Sequence, residues 1–339
     1  MTKDVLIVVD YRKLYRQELN RHKGIDLEAL KEFLSKYGYK VEVVTFDWLI
    51  NQAQWQNISN RIVFYTSSQD KEYRGYIDDI IYQLGQKNYL LPRYELLKAH
   101  ENKLYAEILL KNHGIFSLQS WMFATVTDMR KYLDKIKYPA IVKASTGSGS
   151  ISVYKADTKE KLIKLAKKIC RTKGYYEYYP KYFYRKLLHK DVEQYLLDEK
   201  YHGKFVVQEF VPNLQEDWKI LVFGHKFFVL NRKVRKKDFR ASGSGEFSYI
   251  TPPDGMLDYA EQIFTTLDVP FLSMDLCMDN QGKFYLIEFQ GIHFGPYTLV
   301  HSECYYMKKD GLWNRIEEKS DLAYEYARAA VEYLQGKEE

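Results

Sequence analysis

The chain has 339 residues, of which 46% are hydrophobic and 28% charged, with a formal net charge of +6. That balance excludes wholesale disorder, and the length allows two or three domains. No apolar run approaches the roughly 20 residues that cross a bilayer, and the start, MTKDVLIVVDYRK, is too short in its apolar part and too acidic for a signal peptide. A soluble, cytoplasmic protein is therefore expected.

Residues 5–9, VLIVV, suit a buried parallel strand. Asp26 is placed to cap a helix over 27–37, with Leu27, Leu30, Phe33 and Leu34 on one stripe and Gly38 at its end. KVEVVTF (40–46) and RIVFYTSS (61–68) read as strands and 76–84 as a helix. Residues 1–95 thus alternate strand and helix, as a small parallel α/β domain does. The stretch 88–92 closes it, with Pro92 marking a linker.

A helix is expected over 101–111, ended by Asn112-His113-Gly114. Next, 136–143 leads into IVKASTGSGS (141–150), a strand ending in Lys143 and then a loop of small residues. Such a loop exposes backbone N–H groups and admits a phosphate, although Gly-Ser and Ser-Gly are also turn dipeptides. SVYKA (152–156) is the return strand. Asp157, with Glu160 three residues on, forms a capping-box pattern for a helix. Leu162, Ile163, Ala166, Ile169 and Cys170 are its buried stripe. The segment GYYEYYPKYFYRKLLHK (174–190) draws on the chain's 31 tyrosines. It reads either as an inserted hairpin or helix whose tyrosines pack on the domain, or as a lid holding an acceptor substrate.

After it the pattern turns to strands: KFVVQEFV (204–211), WKILVFG (218–224) and HKFFVLNRKV (225–234), with Gly224-His225 as a tight turn between the last two. Residues 257–267 read as a helix. FLSMDLCMD (271–279) and KFYLIEFQ (283–290) pair across Asn280-Gln281-Gly282. The last helix is capped by Ser320, with Leu322, Tyr326, Ala329, Ala330 and Tyr333 on one face. Cys170, Cys277 and Cys304 are too scattered for a disulfide framework or a zinc site, and Cys170 and Cys277 sit in apolar patterns suited to the core.

Four clusters can carry chemistry. They are Lys143 with its loop; Gln208-Glu209-Phe210-Val211 followed by Asp217 and Lys219; RKVRKKDFRASGSGE (232–246), with six Lys/Arg before a second Ser-Gly loop; and Asp275 with Glu288 and Gln290. In a hairpin, Asp275 and Glu288 can lie on adjacent strands facing one way, and Glu288 and Gln290 share a face. Two acids and an amide make an all-oxygen set that suits Mg²⁺; a solvated hairpin face is the competing reading. The basic run beside bare backbone fits a phosphoryl group or, failing that, a nucleic-acid patch. There is no G-x-x-x-x-G-K-[ST] and no dinucleotide fingerprint after the first strand.

The order of these parts resembles the ATP-grasp superfamily, the carboxylate–amine ligases such as glutathione synthetase, D-alanine–D-alanine ligase and the ribosomal-protein glutamate ligases. The likeness runs from roughly residue 60 to residue 300. It implies an N-terminal parallel α/β domain followed by two α+β subdomains with the nucleotide between them. The divisions expected are 1–95, 96–205 with a Tyr-rich insertion at 174–200, and 206–339 with the metal site. HENKLYAEILLKNHGI resembles the family helix whose lysine, here Lys103, reaches the ATP phosphates. YPAIVKASTGSGS resembles the strand and loop in which Lys143 contacts nucleotide and Ser145, Thr146, Gly147, Ser148, Gly149 and Ser150 cover the phosphates. VVQEFV resembles the adenine hinge, giving Gln208, Glu209, Phe210 and Val211. DWKILV resembles the acid-x-Arg strand, giving Asp217 and Lys219, with lysine in place of arginine. FRASGSGE resembles the segment near the transferred phosphoryl group, giving Arg240 and Ser242. MDL and IEFQ resemble the metal strands, giving Asp275, Glu288 and Gln290, where the family usually has asparagine in the last place.

The resemblance implies ATP and Mg²⁺, or Mn²⁺, and formation of an acyl phosphate that an amine then displaces. The expected partners are small-molecule or peptide carboxylates and amines. No nucleic acid and no membrane span is expected, and a homodimer stays open. TSSQDKEYRGY (66–76), with Tyr73 and Arg74, and HFGPYTL (293–299) are candidate substrate surfaces. Two other readings stand beside the ligase: a kinase of the same fold that phosphorylates a hydroxyl, and a non-catalytic protein binding a polyanion through its basic run.

Overall fold

The computed structural model describes residues 3–16, 24–147, 152–170, 174–192, 201–235 and 245–337. The chain begins with β1 (Asp4–Val9), α1 (Leu27–Lys36), β2 (Lys40–Thr45), α2 (Phe46–Ile50), β3 (Ile62–Tyr65), α3 (Lys71–Gly85), β4 (Tyr89–Leu91) and α4 (Tyr94–Ala99). The four strands form a parallel sheet in the order β2-β1-β3-β4. Asp26 does cap α1, accepting from the N–H groups of Glu28 and Ala29. The stretch 88–92 is not merely a linker. It holds β4, whose three residues are too few to show a period. Helix α3 begins at Lys71, earlier than expected, because Asp70 accepts from the Tyr73 N–H and caps it there.

There follow α5 (Lys103–Asn112), β5 (Ser120–Thr125), α6 (Val126–Arg130), β6 (Ala140–Ala144), β7 (Val153–Ala156), α7 (Lys159–Ile169), α8 (Gly174–Leu187) and β8 (His202–Glu209). Their sheet is antiparallel, in the order β5-β8-β6-β7, and packs on Leu162, Ala166 and Cys170 of the α7 stripe. The cap of α7 is Thr158, not Asp157. The Thr158 side chain accepts from the Lys161 N–H, while the exposed Asp157 pairs with Lys161 through its side chain. The Tyr-rich segment is a helix over its described part. Among its described side chains, Tyr184 is 65% exposed and Phe183 49%.

The rest comprises β9 (Glu216–Phe223), β10 (Lys226–Lys233), β11 (Phe247–Ser248), α9 (Met256–Leu267), β12 (Phe271–Met278), β13 (Phe284–Gln290), α10 (Tyr297–Val300), β14 (Tyr305–Lys309), β15 (Leu312–Ile316) and α11 (Leu322–Gln335). These strands make an antiparallel sheet in the order β13-β12-β9-β10-β14-β15, with β11 on β10. The cap of α11 is Asp321 rather than Ser320, since the aspartate accepts from the Tyr324 N–H.

The chain divides into two compact units. One is Met1–His100, Leu109–Ser117 and Asn213–Glu339; the other is Glu101–Ile108 and Leu118–Pro212. In the first, α11 lies in the core shared by β1, α1, β9 and β12. Tyr326 stacks on Phe271 at 4.4 Å between centroids, and its hydroxyl meets that of Tyr15 at 2.7 Å. Beside it a buried ion network joins Glu325 to Lys226 and Arg328, and Arg328 donates to the Phe223 carbonyl. All three cysteines are free and buried, as expected for Cys170 and Cys277. No helix among the described residues is long and apolar enough to cross a membrane.

Thr158→Ala is expected to lower stability by about 1 kcal/mol, read as an earlier urea midpoint by circular dichroism, whereas Asp157→Ala should leave the midpoint nearly unmoved. Equal shifts in the two variants would return the cap to Asp157.

Candidate functional site

The two-residue turn at Gly224-His225 sets a register. Lys226 faces Phe223, so Leu230 faces Lys219 and Arg232 faces Asp217. On the other side of β9, Asp275 of β12 faces Lys219. Beyond it, Glu288 of β13 faces Asp275, and Gln290 faces Ser273. Residues two apart share a face. Arg232, Asp217, Lys219, Asp275, Glu288 and Gln290 therefore occupy one face of four adjacent strands.

Their contacts follow the register. Arg232 Nε donates to Asp217 Oδ1 at 2.6 Å, and its Nη2 lies 2.9 Å from Asp275 Oδ2. Lys219 Nζ lies 3.8 Å from Asp275 Oδ1, and Gln290 Nε2 donates to Glu288 Oε1 at 3.4 Å. Asp217, Lys219 and Arg232 are buried. Burial lowers the Lys219 pKa, and Asp275 and Glu288 pull it back up. Burial opposes the Arg232 charge, but Asp275 and Asp217 outweigh it and hold that guanidinium well above its usual value.

The segment after β13 closes over this face. Gly295 has φ of +64°, and a Cβ there would stand 3.5 Å from Lys219 Cε. That distance is ordinary contact; it is the left-handed backbone that favours glycine here, because an L side chain would be strained in it. Tyr297 opens α10, its ring stacked on Phe247 at 5.8 Å; burial raises its phenol, and Arg232 opposes that rise.

The second unit carries the other candidates. Lys143 is buried on β6 between Val153 and Val206. Lys103 Nζ donates to the Gly147 carbonyl at 2.6 Å, and the Gly147 N–H donates to Glu101 Oε2 at 2.8 Å. The Ser145 hydroxyl donates to Asn102 Oδ1 at 2.9 Å, and Thr146 is exposed. The start of α5 and the start of the small-residue loop are thus laced together. Gln208 is buried and donates to Glu107 Oε1 at 2.8 Å. The Glu209 N–H donates to the Gln119 carbonyl, Lys155 Nζ sits 4.4 Å above the Phe210 ring, and Val211 is buried. Ser148, Gly149, Ser150, Arg240 and Ser242 lie outside the described residues.

The donor set of Asp275, Glu288 and Gln290 suits a hard divalent cation: two carboxylates and an amide, all able to present oxygen. Asp275 already answers two cationic side chains, Lys219 and Arg232. The sequence reading misses Arg232, which looks like one more charge in a basic run. Counting outward from the Gly224-His225 turn pairs it with Asp217, and that count is the signal that finds it.

No family model matches the chain. The alpha-aminoadipate–LysW ligase LysX of Saccharolobus solfataricus is 24% identical over 194 residues, covering 57% of this chain and 62% of that protein. Among solved structures, the D-cycloserine synthetase DcsG superposes with a TM-score of 0.59 at 13% identity, over 98% of this chain and 99% of that one. The RimK domain ATP-grasp protein of Sphaerobacter thermophilus superposes with a TM-score of 0.53 at 11% identity, over 96% and 99%. Both superpositions run nearly end to end in both chains.

Burial, aided by Asp275, outweighs Arg232 and lifts the Asp217 carboxyl to about 6, above its ordinary value of about 3.9. Between those values the folded protein holds a proton that the unfolded chain has released. Asp217 therefore adds stability as the pH falls from about 6 to about 4, and that part is lost as the pH rises through 6. Urea midpoints taken from about pH 4 to about pH 7 are expected to lose this slope in Asp217→Asn; curves that stay parallel to wild type would refute the assignment.

Proposed function

Because the chain has the ATP-grasp fold, we propose that it is a Mg-ATP-dependent carboxylate–amine ligase that releases ADP and phosphate. The observation that carries this reading is the charge row of Arg232, Asp217, Lys219, Asp275, Glu288 and Gln290 on one sheet face. In this reading Asp275 and Glu288, with the Gln290 amide oxygen, hold Mg²⁺, and Mn²⁺ would suit the same oxygens. The metal's part is to offset the charge of the β- and γ-phosphates. Lys219 and Arg232, joined by Arg240 and Ser242, face the transferred phosphoryl group. Lys103, Lys143 and the loop at 145–150 hold the phosphates, and backbone groups at Gln208, Glu209, Phe210 and Val211 meet the adenine. Asp217 acts by orienting Arg232. The proposed divisions of labour are 1–95, 96–205 and 206–339.

The chemistry asks little of the protein beyond position and charge. A carboxylate oxygen attacks the γ-phosphorus, the bond to ADP breaks, and an acyl phosphate forms. An amine nitrogen then attacks the acyl carbon, phosphate departs and the nitrogen loses a proton. The similarity to LysX, whose name pairs an amino acid with a second molecule, supports small-molecule or peptide substrates of this kind.

Calorimetric titration of ADP with and without Mg²⁺ tests this. Wild type is expected to bind MgADP, Lys143→Ala to bind at least about tenfold more weakly, and Glu288→Ala to lose the Mg²⁺ dependence. Incubation with ATP and mixed carboxylates and amines should then release ADP and phosphate with an amide product. A stable phosphoester would indicate the kinase instead, and a folded wild type that binds no nucleotide would end both readings.

A further inference from the structure

Strand β4 is the last strand of its sheet, in the order β2-β1-β3-β4. Along a parallel pair, alternate residues turn both backbone groups toward the neighbouring strand, and the residues between them turn both away. The Tyr89 N–H donates to the Arg61 carbonyl at 2.9 Å, so Tyr89 serves the ladder with β3. Leu90 therefore turns its N–H and carbonyl to the outer side, where no further strand of the sheet answers them. Such an edge is usually protected by charge or by cover. Here it reads Tyr-Leu-Leu and carries no charge.

Beside it lies a recess of about 250 Å³, lined mainly by apolar surface from the end of α3, from β4 and from the start of α4. Tyr82 of α3 and Tyr94 of α4 form a corner, their ring centres 5.4 Å apart and their planes at 56°. Tyr89 is a further wall, and Tyr82 is 49% exposed, so solvent reaches the corner. Polar groups are few. The Asn88 amide is engaged at both ends: it donates to the Ile58 and Leu84 carbonyls and accepts from the Arg61 N–H. Arg93 gives its Nη2 to Glu95 Oε1 at 2.6 Å and to the Leu267 carbonyl at 2.8 Å. Its Nε is buried and meets no acceptor among the described residues. A buried donor of that kind calls for a partner.

These features set the class of ligand. Charge around the recess is balanced: Arg93 pairs with Glu95, and Lys98, 5.9 Å from the Tyr94 ring centre, pairs with Asp78 at 2.8 Å. A neutral molecule suits that balance better than an ion, which would be buried without a counter-charge. Aromatic walls favour a planar ring. A cavity of about 150 Å³ with apolar walls takes benzene, so this one has room for a ring and a polar substituent. We propose that the recess beside β4 binds a small, neutral, planar ring compound that carries both a hydrogen-bond donor and an acceptor, as an aromatic amide does. The ring lies against Tyr82 and Tyr94, and the polar edge meets the Leu90 backbone and Arg93. The recess shares no residue with the charge row, so its occupancy does not depend on the ligase reading.

The test is a ligand-detected NMR titration of the full chain with benzamide. Cyclohexanecarboxamide, which keeps the amide and loses the flat ring, and benzoate, which keeps the ring and adds charge, are the controls. Two variants at exposed positions alter the walls: Tyr82→Ala removes half of the corner, and Gln86→Trp fills the space beside it. Benzamide should bind wild type saturably, and at least about fivefold more weakly to both variants, with melting temperatures within about two degrees of wild type. Both control compounds should bind wild type more weakly than benzamide, and added MgADP should leave benzamide binding unchanged. Absence of saturable binding, or equal binding in wild type and variants, overturns the proposal. Displacement by MgADP overturns it by putting the ring in a nucleotide site, and tighter binding of benzoate overturns it in favour of an anion. A protein that takes benzamide as expected but ignores MgADP keeps the recess and loses the ligase reading.

Discussion

Arg232 is held between two carboxylates, Asp217 at 2.6 Å and Asp275 at 2.9 Å, and the rest of the charge row is arranged by that double engagement. All three groups sit deep enough that each would be costly alone; stripping one partner from a buried ion pair costs about 3–5 kcal/mol. The arginine spans three strands, from β10 over β9 to β12. It therefore fixes which oxygens of Asp275 remain for other cations, and leaves Lys219 at a longer 3.8 Å. Glu288 and Gln290, one strand further out, are the half-buried end of the same row.

A single stretch of chain then serves several tasks. From Glu288 to Tyr297 it supplies two members of the row, the backbone that lies over Lys219, and the ring beside Arg232. At Gly291 a Cβ would stand 2.8 Å from Leu96 Cδ1, so the stretch is also pressed against α4. His293 carries it to the ends of β1 and β3. The parallel sheet and the antiparallel sheet thus meet around one short connection, and α11 backs both with Tyr326 and its aromatic neighbours.

Much of this was legible in the residues. Long apolar runs such as VLIVV and the hairpin turns at Gly224-His225 and Gly282 marked the strands that build the face. The order of motifs pointed to the fold that the end-to-end superpositions support. What escaped were elements too short to show a period, such as β4, and β5 and the β14–β15 hairpin, which the sequence reading passed over. Both mistaken caps were off by one residue, because Asp157-Thr158 and Ser320-Asp321 each offer two competent side chains and only the backbone geometry chooses between them.

The Gly224-His225 turn lies seven residues from Asp217, a distance of roughly 23 Å along an extended strand. Yet the length of that turn decides what Asp217 faces. One residue more or less there would slide β10 by a single step, and a single step turns every side chain of a strand to its opposite face. Arg232 would then point away from the carboxylates, and Asn231 or Lys233 would arrive in its place. The turn carries no chemistry of its own, but it keeps the count by which charge is delivered to the far end of the sheet. Its two residues are as much a part of the site's composition as the arginine they aim.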